Sequence, residues 1–380
     1  MFRVFAMNRH INYYFLGLSS FLLVFGLLFL STLSAIASLR VFGNTTHYLF
    51  HQLMGVGIGL VLGIIAYKTP LRFIKKAVPV IFFINAVTLL IVFLPGVGTK
   101  LWGASRWINI GGYTFQPSEF FKISAVAYLA LWLSSRFSST AKKGFLSLVK
   151  GGYENARKVF VPFLIFLGII TAVFLLQRDV STLGIIAIAL LVMYFNAGTP
   201  LWNTLLIIIV GISGALVVII REPYRLERLF IFLNPESDPL GMGLQLKQSL
   251  IAIGSGGFFG KGLGMSTQKF GFLPTAMSDS VFAIFGEEMG LLGCVILVLL
   301  FLLFLYLGYK IANNTTDMFS KLTAIGLTTW IGVQAFINIA SSIGMFPLSG
   351  IPLPFFSYGG SHIIAELIAV GLLLNISKNG

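Results

Sequence analysis

Residues 290–308 read GLLGCVILVLLFLLFLYLG, an uninterrupted apolar run without one charged side chain. As a helix, a run of this length rises roughly 28 Å, which matches the ~30 Å hydrocarbon core of a bilayer. Similar runs recur along the chain, and they lack the alternation of apolar and polar residues that marks the strands of a membrane barrel. The sequence therefore predicts an all-α polytopic membrane protein.

Composition supports the same fold class. Of the 380 residues, 57% are hydrophobic and 10% are charged, whereas a soluble domain carries ~25% charged residues. We expect one membrane domain over residues 1–380 with about ten transmembrane helices. The predicted spans are residues 11–38, 47–67, 77–95, 117–136, 159–177, 180–197, 201–220, 279–309, 321–345 and 357–377.

Basic residues set the expected orientation. Lysine and arginine collect in the short loops on one side, and such loops face the cytoplasm. Both termini are therefore predicted to be cytoplasmic. A large loop between the seventh and eighth spans, residues 221–278, then lies on the extracytoplasmic face. The net charge of +14 follows from this loop pattern, so no nucleic-acid partner is predicted.

An ionisable side chain within a membrane span raises the free energy of the embedded helix. Such residues are therefore functional candidates by default. Gln116-Pro117-Ser118-Glu119 opens the fourth span, and Pro117 suits a first helical turn. Lys122 lies three residues after Glu119, on the same helical face. The two side chains either bind substrate or form a structural ion pair. Arg106, in the preceding external loop, is a further candidate for substrate binding.

Other external charges are candidates of the same kind. Asp179, between the fifth and sixth spans, either caps the sixth helix or lines the site. Arg221 and Arg225 begin the large loop, and Lys261 follows in GSGGFFGKGLG. These cations suit a phosphate-bearing ligand, with a solvated basic face as the alternative. The glycine-rich stretch lacks the spacing of a nucleotide-binding loop.

The stretch TAMSDSVFAIFGEEMG, residues 275–290, carries three acids. Ser278 is predicted to cap the eighth span and Asp279 to take its first helical position, at the outer mouth. Glu287 and Glu288 lie about two turns deeper and point in different directions. Buried carboxylates must be paired or protonated. We therefore interpret the two glutamates as structural partners. Asp279 is the candidate functional acid, with a role in capping the helix alone as the alternative.

Several stretches together resemble the shape, elongation, division and sporulation (SEDS) family, the RodA/FtsW peptidoglycan glycosyltransferases. They are GASRWI, QPSE with Lys122, NPESDPLGMG, QSLIAIGSGG, GKGLG, FLP…SD…FAIFGEEMGLLG and PLPFFSYGGS. The resemblance covers nearly the whole chain and implies the same fold of about ten helices. EPYRLERL with NPESDP, and GASRW, make it more like FtsW of cell division. A RodA-like elongation enzyme of the same chemistry is the alternative.

The resemblance implies polymerisation of lipid II, an undecaprenyl-pyrophosphate-linked disaccharide pentapeptide. The reaction would take place on the outer face of a bacterial cytoplasmic (inner) membrane. It also implies a class B penicillin-binding protein transpeptidase as partner, with other proteins of the division or elongation complex. The family's candidate catalytic aspartate matches Asp279. The family's Glu and Lys of the fourth span match Glu119 and Lys122, and its loop arginine matches Arg106.

The chain departs from the family pattern at two places. The usual His-Thr-Asp is Met277-Ser278-Asp279 here, so the histidine is missing. The usual QPDLGT is QRDVST here, residues 177–182, so Asp179 survives without its proline and glycine neighbours. The first departure predicts that the aspartate acts without an adjacent imidazole, and the second leaves the backbone at residues 177–182 open.

An inverting transferase with a pyrophosphate leaving group needs one base and positive charge. We expect Asp279 to deprotonate the sugar 4-hydroxyl of incoming lipid II, giving a β-1,4 linkage. Arg106, Lys122 and the loop cations would hold the pyrophosphates. Mg²⁺ or Mn²⁺, with Asp279 as a candidate ligand, is an optional cofactor, and no organic cofactor is expected. The rival hypotheses are a lipid II flippase, which would bind at the midplane, and a scaffold that recruits a transpeptidase.

Overall fold

The computed structural model describes residues 11–379 except 95, 102–103, 111–112 and 138–155. These residues form a helical bundle with a small sheet at one end, and a π-helical turn, Ala156–Phe160, leads into the fifth helix. The helices are α1 (Tyr13–Phe42), α2 (His47–Lys68), α3 (Leu71–Ile91), α4 (Pro117–Phe137), α5 (Val161–Leu176), α6 (Val180–Asn196), α7 (Leu201–Arg221), α8 (Pro223–Leu233), α9 (Met242–Gly256), α10 (Val281–Asn313), α11 (Met318–Ser342) and α12 (Gly360–Asn379).

Within the described residues, eight helices are long and apolar enough to cross a membrane. The predicted spans 117–136 and 180–197 correspond to α4 and α6. The α4 helix carries the buried Glu119 and Lys122, and α6 has only 17 residues. The multi-pass helical architecture is therefore confirmed.

One predicted boundary is wrong by several residues. The third span was expected to begin at residue 77, which would place Pro79 in its first turn. The α3 helix begins instead at Leu71, directly after Pro70, and runs through Pro79. An internal proline forfeits a helical hydrogen bond, and neighbouring helices of a membrane bundle tolerate that loss.

The α2 helix packs closely against α12 along a stripe of glycines. A Cβ added at Gly63 would lie 2.6 Å from the carbonyl oxygen of Leu367, so only glycine permits this approach. Near its N-terminus α2 presents Gln52 to the loop before α12. The Gln52 Oε1 atom accepts a hydrogen bond of 3.0 Å from the Gly359 amide. The contact between these helices therefore fixes one wall of the site described below.

The stretch before α4 folds into three antiparallel strands, β1 (Gly98–Leu101), β2 (Ala104–Ile110) and β3 (Tyr113–Phe115). Their order is β1-β2-β3, and Ile108 pairs with Phe115. The central strand β2 carries Arg106 and Trp107. The sheet thus positions these two side chains over the start of α4.

The large loop contains two helices, α8 and α9. The α9 helix descends beside α10, which is interrupted at Gly290, where φ is 66° and ψ is −170°. The amides of residues 291–292 donate to the carbonyls of residues 257–258 at 2.9 and 3.1 Å. The amides of residues 261–262 donate to the carbonyls of residues 287–288, both at 3.0 Å. The backbone groups freed by the interruption are thereby satisfied, as membrane surroundings require.

Candidate active site

A cavity of about 290 Å³ opens at the end of the bundle that carries the sheet. The starts of α4, α6 and α12, strand β2, the turn before α10 and the loop after α11 all contribute to its wall. By the predicted orientation this is the extracytoplasmic end. Five of the predicted site residues line it: Arg106, Glu119, Lys122, Asp179 and Asp279.

Asp279 lies in the turn before α10 and is half-buried. The prediction that Ser278 caps the helix is wrong, because the helix begins at Val281 with Ser280 at the cap position. The turn continues through residue 279, and Ser278 Oγ donates instead to Asp279 Oδ1 at 3.1 Å. Gln245 Nε2 lies 3.4 Å from Asp279 Oδ2. The carboxylate is thus held from two sides and faces the cavity.

Two distant segments hold the main chain of this turn. Asn338 Nδ2, on α11, donates to the carbonyl oxygen of Asp279 at 2.9 Å and to that of Ile351 at 2.7 Å. The Tyr358 amide donates to the carbonyl oxygen of Met277 at 2.8 Å. The Met277 side chain packs against the apolar core. Residue 277 therefore contributes its backbone, not its side chain, to the site.

Glu119 and Lys122 form an ion pair inside the bundle, with Lys122 Nζ 2.8 Å from Glu119 Oε2. Both side chains are buried. Lys122 Nζ also donates to Gln334 Oε1 at 2.9 Å and lies 4.6 Å from the centroid of the Trp330 ring. The two residues therefore form the predicted ion pair, and they also form part of the cavity wall.

Arg106 and Asp179 meet at another part of the wall. Arg106 Nη1 lies 3.5 Å from Asp179 Oδ1, and Arg106 Nη2 donates to the carbonyl oxygen of Arg178. Asp179 also accepts a hydrogen bond of 3.3 Å from the Thr182 amide and so caps α6. Both predicted alternatives for Asp179, a cap and a lining residue, are therefore realised together.

Three predicted substrate-binding residues lie outside the cavity wall. Arg221 ends α7, and Arg225 on α8 donates to the carbonyl oxygen of Val218 at 3.2 Å. Lys261 Nζ lies 2.6 Å from Glu287 Oε1. Arg225 and Lys261 therefore have local partners, and none of the three cations lies in the cavity wall beside Asp279.

The deeper glutamates pair with one segment of the large loop, residues 261–269, as their predicted structural role requires. Glu287 accepts hydrogen bonds from Thr267 and from Ser266 Oγ. Glu288 accepts from the Gly264 amide at 2.8 Å and lies 3.4 Å from Lys269 Nζ. Although the two side chains leave α10 in different directions, this segment reaches both of them.

Sequence reasoning missed several residues of the wall. Gln334, Tyr358 and His362 line the cavity, and Gln245 contacts Asp279 from α9. His362 was detectable, because it is an ionisable residue inside a predicted span, directly after PLPFFSYGGS. The glutamines carry no charge, and only the fold brings them to this place.

The cavity has no excess of positive charge. Its charged side chains are two cations and three carboxylates, and the ionisable side chains of His362 and Tyr358 lie beside them. Over the described residues, no group of three or more His, Cys, Asp or Glu side chains could hold a metal ion. A divalent cation at this site would therefore depend on substrate oxygens for most of its ligands.

Known proteins of similar sequence cover almost the whole chain. "Stage V sporulation protein E" of Bacillus subtilis is 37% identical over 364 residues, which are 94% of each chain. "Probable peptidoglycan glycosyltransferase FtsW" of Trichlorobacter lovleyi is 35% identical over 354 residues, covering 93% of this chain and 89% of the relative.

The same fold occurs in a chain of a solved peptidoglycan synthase complex, with a TM-score of 0.74 and 23% identity. The match covers 97% of this chain and 98% of that one. The profile of the FtsW, RodA and SpoVE family, described as cell cycle protein, matches residues 13–380. The chain therefore belongs to the FtsW, RodA and SpoVE family.

Proposed function

We propose that this protein is a peptidoglycan glycosyltransferase that polymerises lipid II into glycan strands, with an FtsW-like role in cell division. The observation that carries the proposal is the placement of Asp279, a carboxylate held by Ser278 and Gln245 and facing a polar cavity. Relatives named for this activity match over most of the chain. Elongation of the RodA type would use the same chemistry.

Asp279 acts as the base in this proposal. Its carboxylate takes the proton of the sugar 4-hydroxyl of incoming lipid II, and that oxygen attacks the anomeric carbon of the growing strand. The bond from this carbon to the pyrophosphate oxygen breaks, and a β-1,4 linkage forms with inversion. A single base is sufficient because pyrophosphate leaves without a proton, whereas a glycosidase needs two carboxyl groups.

The leaving pyrophosphate needs positive charge. Arg106 is the better-placed cation, since its side chain is about one-third exposed, whereas that of Lys122 is buried and already paired with Glu119. Because carboxylates offset both cations, Mg²⁺ or Mn²⁺ carried by the pyrophosphate would supply the missing charge beside Asp279. No step assigned to the protein's own residues depends on that ion.

The proposed topology follows from the charge of the loops. Both termini would face the cytoplasm, and the cavity would open on the extracytoplasmic face of the inner membrane. Nucleotide sugars are scarce there, so a lipid-linked donor is needed. A class B penicillin-binding protein transpeptidase would then cross-link the new strands, with other division or elongation proteins in the same complex.

The test is lipid II polymerisation by the purified protein with its transpeptidase partner, comparing Asp279→Asn with the unchanged protein. We expect the rate to fall at least about 100-fold, since general base catalysis contributes that much or more. Asp317→Asn is the matched control, because Asp317 also precedes a long helix but lies at the opposite end of the bundle. Normal polymerisation by Asp279→Asn would refute the base assignment.

A flippase is the second hypothesis, and the distribution of charge argues against it. The charged residues of the cavity gather near one end of the bundle, whereas transporters bind near the midplane. Vesicles containing the protein and fluorescent lipid II separate the two functions. Movement of lipid II between leaflets without polymer would support the flippase. A pure scaffold predicts that Asp279→Asn leaves wall synthesis intact.

A further inference from the structure

Gln245 reaches the turn before α10 from the large loop. It is the fourth residue of α9 and is half-buried. Its Nε2 atom lies 3.0 Å from Thr275 Oγ1, 3.0 Å from Ser280 Oγ and 3.4 Å from Asp279 Oδ2. Three oxygen atoms thus surround one amide group that carries two hydrogens. The candidate base therefore shares this donor with two hydroxyls of its own turn.

The carboxylate of Asp279 decides how the amide of Gln245 is oriented. An amide oxygen at the same place would repel Oδ2, so the nitrogen must face it. The two contacts of 3.0 Å anchor the amide on the hydroxyls, and the charge of the carboxylate strengthens the longer third contact. Gln245 therefore holds Oδ2 on the side of α9.

The other donor to the carboxylate, Ser278, is shared as well. Its hydroxyl has a single hydrogen, which lies within reach of the Thr275 carbonyl oxygen at 3.2 Å and of Asp279 Oδ1 at 3.1 Å. Thr275 has a φ of +51°, a strained conformation for a β-branched residue. In this conformation its carbonyl oxygen also accepts hydrogen bonds from the amides of residues 278 and 280. Ser278 alone therefore does not fix the direction of the carboxylate.

The α9 helix gives Gln245 a firm support. The Asp238 carboxylate caps the start of this helix, since it accepts hydrogen bonds from the amides of Gly241 at 2.9 Å and of Met242 at 2.7 Å. Gly243 packs against the carbonyl oxygen of Pro235 and leaves no room for a Cβ. A side chain on such a rigid element holds its partner more precisely than one on a free loop.

We propose that Gln245 is a positioning residue that fixes the direction of the Asp279 carboxylate. The inference rests on the proposed function, in which this carboxylate takes a proton from the substrate. A base must lie within hydrogen-bond reach of the proton that it takes, in the correct geometry. Gln245 lies outside the cavity wall, so it acts through Asp279 and not on the substrate. The large loop thereby contributes to the reaction through α9.

Gln245→Glu and Gln245→Met separate positioning of the carboxylate from simple docking of α9. An ionised glutamate still accepts hydrogen bonds from the hydroxyls of Thr275 and Ser280, but it donates none to Asp279 and places a like charge beside it. Methionine loses all three contacts without adding a charge. We expect kcat for lipid II polymerisation to fall about tenfold in Gln245→Met and about 100-fold in Gln245→Glu. KM should stay within about twofold in both variants.

Gln248→Glu is the matched control. Gln248 lies on the same helix and, within the described residues, makes no hydrogen bond to the turn, so this variant should keep kcat and KM. Thermal unfolding of each variant is measured in the same detergent. A smaller loss of kcat in Gln245→Glu than in Gln245→Met would overturn the inference, because docking alone favours glutamate. A raised KM with unchanged kcat would overturn it too, since that result indicates contact with the substrate.

Asp279→Asn is assayed in parallel to keep the two proposals apart. If it is inactive while both Gln245 variants keep their kcat, the inference fails and the proposed function stands. If Asp279→Asn polymerises lipid II normally, the base assignment fails and the inference fails with it.

Discussion

Asn338 Nδ2 donates a hydrogen bond of 2.9 Å to the carbonyl oxygen of Asp279. The same amide group donates to Ile351 at 2.7 Å, so one fully buried side chain joins the turn of the candidate base to the loop after α11. The two bonds use both donors of the amide. Asn338 is therefore the clearest determinant of where the backbone of residue 279 lies.

Asn338→Asp should disturb the site with almost no change in volume. An ionised aspartate accepts hydrogen bonds but donates none, so two buried carbonyl groups lose their partner. We expect the free energy of unfolding to fall by about 1–3 kcal/mol. The polymerisation rate should fall roughly 100-fold, since a small displacement of a reacting group has that effect. Lipid II polymerisation and thermal unfolding measure the two effects.

Ser341→Ala is a suitable control, because Ser341 donates within α11 to the carbonyl oxygen of Asn338 and makes no contact with Asp279. We expect it to keep its polymerisation rate. A normal rate in Asn338→Asp would show that the Asp279 turn is held by its other contacts.

The features of the site that could be predicted depend on short stretches of chain. Pro117 begins α4 and Asp179 caps α6. Glu119 pairs with Lys122. Each of these features was predicted by a rule that spans four residues or fewer. The long apolar runs predicted the membrane helices for the same reason, since the composition of a single run decides whether it can span a membrane.

The contacts that complete the site join residues far apart in the chain. Lys122 and Gln334 are separated by 212 positions, and Asp279 and Asn338 by 59. No local pattern reports such pairs. The cap was wrongly assigned to Ser278 because hydrogen bonds of the preceding turn, from the amides of residues 278 and 280 to Thr275, delay the start of α10.

Lys122→Met should destabilise the protein more than the double substitution Lys122→Met with Glu119→Gln. The single change leaves the Glu119 carboxylate buried without its cation. This should lower the free energy of unfolding by about 3–5 kcal/mol. The double change removes both charges and keeps a polar side chain at position 119. Thermal unfolding of the three proteins measures the difference. Equal losses in the single and double variants would show that the pair is not coupled.

Arg178→Gly and Arg178→Pro should have opposite effects. Arg178 has φ of +58°, which glycine adopts readily and proline cannot. We expect Arg178→Gly to keep activity and stability. Arg178→Pro should misplace the carbonyl that binds Arg106 and should weaken binding of lipid II, although the family pattern has proline here. An active, stable Arg178→Pro protein would show that the turn can adopt the backbone of the family.

Asp317 and Lys75 form an ion pair at the end of the bundle opposite the cavity. This pair should make the stability of the protein depend on pH. Burial alone would raise the pKa of Asp317, but hydrogen bonds from Lys75 and Ser320 outweigh it and hold the pKa below 3.8. The resulting stabilisation is complete above the pKa of the unfolded chain and is lost as pH falls through the lower native pKa.

Thermal unfolding of the unchanged protein and of Lys75→Met between pH 7 and pH 3 measures this effect. The difference between the two proteins should shrink as Asp317 becomes protonated. Salt should reduce the difference at neutral pH, because both side chains are about one-third exposed or more. A constant difference across the pH range would exclude the ion pair as its cause.

Lys261→Met should affect stability and leave substrate binding unchanged. Lys261 Nζ lies 2.6 Å from the buried carboxylate of Glu287, outside the cavity wall. Removing a hydrogen bond to a charged group costs about 1.5–3 kcal/mol, so the unfolding temperature should fall. KM for lipid II should stay within about twofold, whereas Arg106→Met, within the cavity, should raise it. A large increase of KM in Lys261→Met would instead place the cation on the path of the substrate.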